Sequence, residues 1–180
     1  EVFYEGEEYP QYVNVTSYKE YNIAERMPDK IYIHNPYDNC NKVTSVFPEY
    51  YSSNLKKYTK ELVYIPYFVC FNDVVSEHFV VLPATIHAHK VIVQSEKVRD
   101  AYIKIFRNYL NEQGISEKVV GKLEDKFVAG GSPKLDKVLA TTRENVDIPE
   151  DWKQYIDTGE NRRQIIMYNT TLQAFFDAGD

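Results

Sequence analysis

The sequence predicts an α/β protein built on a Rossmann-like parallel sheet with helices on both faces. Three observations carry that prediction. Short β-rich runs at 30–34, 62–65, 90–94 and 127–129 alternate with segments of helical spacing, the pattern of βαβ units. The run at 90–94, Lys-Val-Ile-Val-Gln, is nearly all apolar, as expected of a strand covered on both faces. A glycine turn, Gly130-Gly131, leads from the last of these runs straight into a helix start at Ser132-Pro133.

The elements follow in order. The first 28 residues are rich in Tyr and Glu, show no clean periodicity and predict no definite element. The run Lys30-Ile31-Tyr32-Ile33-His34 stops at the turn signal Asn35-Pro36. Residues 48–58 carry helical spacing in Tyr51, Leu55 and Tyr58, and residues 62–65 form the next strand, closed by Pro66. Residues 76–88 read as helical with a break at Pro83. Ser95 is placed to cap the longest helix, in which Val98, Tyr102, Ile105, Phe106 and Tyr109 share one face and Gly114 is the stop. A polar connector occupies 115–126, the strand 127–129 follows, and a helix runs from Pro133 to about Thr141. Pro149 opens a short helix with Trp152 and Tyr155, 159–163 is a polar linker, and 165–168 is a closing strand. The expected organisation is one lobe over 1–160, with 161–180 a linker and the first strand of a further lobe; a strand opening so near Asp180 suggests a piece of a longer polypeptide.

Composition narrows the function. With 180 residues, 43% hydrophobic and 27% charged, the chain can bury a sizeable core. A formal charge of −6 argues against general nucleic-acid binding, which needs a basic face. Cys40 and Cys70 fit no metal spacing and read as reduced thiols of a cytoplasmic protein. No apolar run approaches the roughly 20 residues of a membrane span.

Candidate chemistry concentrates in the loop His34-Asn35-Pro36-Tyr37-Asp38-Asn39-Cys40-Asn41, beyond the carboxyl end of a strand, where open α/β sheets take ligands. His34 or Asp38 can serve as general base there, with Asn35, Tyr37 and Asn39 as substrate contacts; the same residue types also make a self-satisfied turn. Glu77-His78 offers an acid/base pair in His78, or a histidine at a helix start. Gly131, Ser132 and Lys134 can hold a phosphate through helix-terminal N–H groups and an ammonium, or form a well-capped turn. His87 and His89 lack further ligands at zinc spacing, so no metal site is expected. Tyrosine, at 16 residues, supplies rings able to stack on sugars as well as to fill the core.

The element Gly131-Ser132-Pro133-Lys134-Leu135-Asp136 resembles the Gly-x-Pro-Arg-x-Asp element of the CDP-glycerol glycerophosphotransferase family of teichoic-acid synthesis, with Lys134 in place of Arg. In order along the chain, the strand ending at His34, the strand 91–94 followed by Ser95, and Ile165-Ile166-Met167-Tyr168-Asn169-Thr170 are similar to other parts of that family. The family's Trp-His-Gly-Thr loop is replaced by His34-Asn35-Pro36-Tyr37. The resemblance implies the amino-terminal, acceptor-side lobe of a GT-B enzyme. It implies as partners a CDP-glycerol donor, held mainly by a lobe outside this chain, and a polyol-phosphate or glycan acceptor. It implies no metal or other cofactor in this half. It further implies a cytoplasmic protein that contacts an anionic membrane surface peripherally, with Lys56, Lys57 and Lys60 available for such contact. The alternatives are a GT-B lobe using a nucleotide sugar, and a free-standing flavodoxin-like binding or interaction module.

Overall fold

The computed structural model describes residues 2–3, 11–41, 43–70, 74–142, 144–153, 155 and 166. Contacts divide the chain into two units, Glu1–Val138 and Leu139–Asp180. The first holds a four-stranded, all-parallel sheet in the order β3 (Lys30–Ile33), β4 (Glu61–Tyr64), β5 (Lys90–Val93), β6 (Phe127–Ala129). All four runs read as strands in the sequence are strands, within a residue of their expected ends. A second, two-stranded parallel pair joins β1 (Val2–Phe3) to β2 (Val15–Thr16).

The helices are short apart from one. Asn22 caps α1 (Ile23–Arg26), accepting the Glu25 N–H, and Met27 closes it in the left-handed region at φ 41°. Residues 48–58 are helical in three pieces rather than one. A 3₁₀ turn Pro48–Tyr50 gives way to α2 (Ser52–Leu55) at extended Tyr51, and a second 3₁₀ turn, Lys56–Tyr58, follows. The expected break at Pro83 separates α3 (Glu77–Val80) from α4 (Pro83–His87), with Pro83 in the first turn, where its missing N–H costs nothing.

The long helix is α5 (Glu96–Glu112), and Ser95 caps it by accepting the Val98 N–H at 3.3 Å. Val98, Tyr102, Ile103, Phe106 and Leu110 are its buried stripe. At about 1.5–3 kcal/mol per large apolar side chain, that stripe rather than propensity anchors it. Gly114 ends the helix at φ 66°. The connector 115–126, expected as polar loop, contains two one-turn helices, α6 (Glu117–Val120) and α7 (Leu123–Lys126). Leu123 in α7 is fully buried. A single apolar residue among charges gives no periodic signal, which is why the turn was not legible.

Register decides which side chains share a face. Ile31, Leu62, Tyr64, Val91 and Phe127 lie on one face, and Tyr32, Val63, Lys90, Ile92 and Val128 on the other. The first set forms one core with Ile23 of α1, Leu55 of α2, Val80 of α3, Ala84 of α4, the α5 stripe and Leu123 of α7. None of the second set belongs to that core. The parallel α/β sheet is as expected, and among the described residues the helices that join this core pack on the first face. The strand order explains this. It never reverses, and right-handed crossovers between successive neighbours all fall on the same side. On β5, Val91 and Val93 are buried, Lys90 is exposed and Ile92 half-buried, whereas on β4 Val63 of the other face is also buried, at 2% exposed.

The segment α8 (Pro133–Ala140) begins where Pro133 predicts and crosses the boundary between the units. In the second unit Asn145 organises a turn, its Oδ1 accepting from the Thr142 N–H at 2.6 Å and its Nδ2 donating to the Ala140 carbonyl at 2.7 Å. The short helix expected after Pro149 is α9 (Glu150–Lys153), containing Trp152. The expected strand 165–168 lies outside the described residues except for Ile166, which is exposed and in no regular element. Among the described residues no helix is long and apolar enough to cross a membrane.

Candidate ligand edge of the parallel sheet

Four loops leave the carboxyl ends of β3, β4, β5 and β6, and a bond ties each loop to the next. The Tyr37 and Tyr67 hydroxyls lie 2.8 Å apart, joining the loop after β3 to the loop after β4. The Gln94 amide, just past β5, pairs with the Cys70 backbone in both directions, accepting from its N–H at 2.7 Å and donating to its carbonyl at 2.8 Å. The Gly130 and Gly131 N–H groups both donate to the Val93 carbonyl, at 3.0 and 3.2 Å. Gly131 takes φ 91°, a conformation that favours glycine, and so turns the chain from β6 into α8.

The candidates on this edge fare differently. His34 is the first residue past β3; it is exposed and makes no hydrogen bond or ion pair among the described residues. Asp38 is 5% exposed and its carboxylate is saturated. Oδ1 accepts the Ser52 N–H at 2.7 Å, and Oδ2 accepts the Ser52 hydroxyl at 2.9 Å and the Ser53 N–H and hydroxyl at 3.2 and 3.3 Å. It thereby satisfies the first N–H groups of α2 from another segment, since Tyr51 at the cap position has no side-chain acceptor. Asn35 makes a local turn, accepting the Tyr37 N–H at 3.0 Å and donating to the Thr44 carbonyl at 2.5 Å. Asn39 is exposed.

Tyr37 is half-buried, and its bond to Tyr67 together with partial burial pushes its phenol up to about 12, so it stays protonated across the neutral range. His78 on α3 is exposed, with its ring edge-on to Phe79 at 5.5 Å. Ser132 is nearly buried, and Lys134, the second residue of α8, is exposed. His34, Tyr37 and the Gly131–Ser132 turn therefore share the carboxyl edge.

Sequence reasoning gave Gln94 no role beyond its strand, read Cys70 only as a reduced thiol and Tyr67 only as one of several tyrosines able to stack on sugars; all three line or lace this edge. The available signal was Gln94, an amide placed directly after an apolar strand. The cleft bounded by Phe68, Cys70, Gln94, Tyr102, Gly131 and Ser132 has an interior of only about 10 Å³, room for one water. A larger hollow of about 450 Å³ lies elsewhere, between Tyr18, Tyr21, Phe47 and Tyr50. Tyr18 stacks on Phe47 at 4.7 Å, and the Tyr50 hydroxyl donates to the Tyr18 carbonyl at 2.6 Å.

The opposite, amino edge collects basic groups. His89 Nδ1 accepts the Leu62 N–H at 2.9 Å, which fixes that nitrogen as unprotonated. Burial lowers the pKa of both His87 and His89, helped by the ammonium groups of Lys56 and Lys126. Lys126 is 5% exposed; it donates to the Ala88 carbonyl and lies 5.5 Å from the centre of the Phe106 ring. Burial lowers its pKa to about 8. Among the described residues no three His, Cys, Asp or Glu side chains gather to hold a metal ion.

Comparison with protein-family models, with curated proteins and with solved structures finds no match.

Proposed function

We propose that the chain is the acceptor-side lobe of a two-lobed transferase that moves glycerol phosphate from CDP-glycerol to a hydroxyl of a polyol-phosphate or glycan acceptor. The observation that carries the proposal is the placement of His34, exposed and, among the described residues, without a hydrogen bond or ion pair, immediately past β3 on the edge where open parallel sheets take ligands. An imidazole needs no tuning to accept a proton near neutral pH. In this reading His34 takes the acceptor's hydroxyl proton as its oxygen attacks the β-phosphorus. A new P–O bond forms, the bond to the bridging oxygen breaks, and CMP leaves. Asp38 steadies the same loop, its carboxylate fastening it to Ser52 and Ser53 of α2. The N–H groups and Ser132 at the start of α8, with Lys134, suit a phosphate of the acceptor.

The resemblance of 131–136 to the glycerophosphotransferase element supports the substrate class. The test is CMP release from CDP-glycerol by the polypeptide that carries this lobe. His34→Ala is expected to lower turnover roughly 10²–10⁴-fold, the usual worth of a general base, with an unchanged melting temperature. Undiminished turnover removes His34 from the chemistry. Turnover with nucleotide sugars in place of CDP-glycerol overturns the donor.

A further inference from the structure

The hollow of about 450 Å³ between Tyr18, Tyr21, Phe47 and Tyr50 shares no lining residue with the cleft at the carboxyl edge. Its volume falls in the ordinary range of small-molecule sites, about 300–1,000 Å³. Local structure sets its walls. On one side the Glu20 and Tyr21 N–H groups donate to the Ser17 carbonyl, at 2.9 and 3.1 Å, and fold residues 17–21 into a tight turn. On the other, the Tyr50 N–H donates to the Phe47 carbonyl at 2.8 Å in the 3₁₀ turn Pro48–Tyr50. The two walls are joined. The Tyr50 hydroxyl donates to the Tyr18 carbonyl at 2.6 Å and lies 3.2 Å from the Tyr21 carbonyl. The Tyr18 and Phe47 rings stack with centroids 4.7 Å apart and planes 17° from parallel. Rings held in this way cost a ligand little further ordering.

The chemistry of the lining selects the ligand. Four aromatic rings offer faces that carry negative quadrupole charge. Glu20 and Glu49 add two exposed carboxylates, and neither side chain makes a hydrogen bond or ion pair among the described residues. Glu49 lies close to Tyr50: burial first, and then the Glu49 charge, raise the pKa of the Tyr50 phenol. Among the described residues the one cation of the lining is Lys19, whose Nζ rests 5.4 Å from the centre of the Tyr18 ring. The Arg26 guanidinium lies 5.8 Å from the centre of the Tyr21 ring. Two rings of the hollow therefore already hold cations, and its lining carries two negative charges to one positive. That balance turns an anion away. A compact ammonium is strongly hydrated, whereas an alkylated one sheds water readily and is broad enough to touch several rings at once.

We infer that this hollow binds an alkylated ammonium group, with trimethylammonium as the model. The cation lies among the four rings, and the Glu20 and Glu49 carboxylates balance its charge. Lys19 shares the same field and competes with the ligand for it. Such a group arrives either on a free small molecule or as the headgroup of a choline lipid, and the recognition chemistry is the same for both. The readout is binding alone, so the inference stands apart from the reaction proposed for the carboxyl edge.

The test is a nuclear magnetic resonance titration of the full 180-residue chain with choline and, separately, with the uncharged isostere in which carbon replaces the quaternary nitrogen. Choline is expected to shift the ring protons of Tyr18, Tyr21, Phe47 and Tyr50 saturably and to bind about tenfold more tightly than the isostere. Glu49→Gln and Phe47→Leu, both at exposed positions, are expected to weaken choline severalfold with the melting temperature unchanged. Lys19→Met removes the competing charge and is expected to tighten it. No saturable shift, equal binding of choline and isostere, or binding indifferent to Glu49→Gln and Phe47→Leu overturns the proposal. Weaker binding in Lys19→Met overturns it as well. Vesicles then separate the two sources. Cosedimentation with phosphatidylcholine vesicles that is lost in Glu49→Gln assigns the site to the lipid headgroup. Choline binding without cosedimentation assigns it to a free small molecule.

Discussion

Asp38 and Ser52, fourteen positions apart, are joined twice: the Ser52 backbone N–H and hydroxyl each donate to the Asp38 carboxylate, at 2.7 and 2.9 Å. The same carboxylate takes two further bonds from Ser53, and the Asp38 carbonyl accepts the Ser45 hydroxyl at 2.6 Å. Asp38 itself sits at φ 45°, a left-handed conformation that Asp tolerates better than most residues. The residue that reads in sequence as an alternative catalytic base is, in space, the clasp between the loop after β3 and the helix α2.

Removing the clasp separates its structural role from any chemistry. Asp38→Ala leaves four donors without an acceptor in a buried place, a loss of about 2–4 kcal/mol. For a domain of this size that lowers the melting temperature by roughly 5–15 °C. Ser52→Ala alone removes one donor and costs less. In a double-mutant cycle the two changes are expected to fall well short of additive, because they break the same bonds. Additive losses, measured by calorimetry, contradict the clasp.

How much of this was legible in the sequence follows from what each element depends on. The four strands, the Ser95 cap, the break at Pro83 and the turn at Gly130-Gly131 depend on local chemistry, and local chemistry is written in sequence. Asp38 was legible as a polar loop residue at a strand end, but its partners lie fourteen and fifteen positions away. Tyr37 with Tyr67, and Cys70 with Gln94, are likewise pairings over 30 and 24 positions. The second helical layer was expected from apolar strand composition, whereas the side that helices occupy is set by strand order. A strand such as β5, Lys-Val-Ile-Val, keeps an apolar pattern even where Ile92 faces away from the core.

Gln94 holds the loop that carries Cys70, and thiol reactivity reports on that hold. Cys40 is exposed, while Cys70 is partly buried and its pKa is raised by burial. Only the thiolate reacts with alkylating agents, so at pH 8 iodoacetamide is expected to label Cys40 well before Cys70. Gln94→Ala frees the Cys70 N–H and carbonyl, and the loop opens more often. Labelling of Cys70, followed by peptide mass mapping, should then quicken severalfold with Cys40 unaffected. Equal rates at Cys70 in the two proteins exclude Gln94 as the restraint.

The amino edge makes stability depend on pH in two windows. His87 and His89 have folded pKa values below the ordinary 6.5, so the unfolded chain binds more protons just below that pH. Their contribution is complete above about pH 6.5 and is lost as the pH falls through the folded values. Protonating His89 Nδ1 also removes the acceptor of the Leu62 N–H. Lys126, at about 8 against an ordinary 10.5, acts in the same sense at higher pH. Below pH 8 its buried ammonium costs stability, and between about 8 and 10.5 that cost is relieved. Lys126→Met is expected to raise the melting temperature at pH 7 and to flatten its rise between pH 8 and 10. A variant that keeps the full slope places the titration elsewhere.

Gly130 and Gly131 are adjacent glycines held for different reasons, and substitutions should tell them apart. A Cβ on Gly130 would stand 2.5 Å from Ile92 Cγ2, closer than real carbon contacts allow. A Cβ on Gly131 meets nothing within 4 Å, but the backbone there is at φ 91°, strained for any L side chain. Gly130→Ala is therefore a packing clash, worth about 1–3 kcal/mol. It should be largely rescued by Ile92→Leu, which removes the offending branch methyl while keeping the volume. Gly131→Ala is a backbone penalty on the order of 1–2 kcal/mol, and Ile92→Leu should leave it untouched. Denaturant titration of the four variants decides the matter. Rescue of both glycine variants by Ile92→Leu, or of neither, would mean that Ile92 does not set the close approach of β6 to β5 at the carboxyl edge.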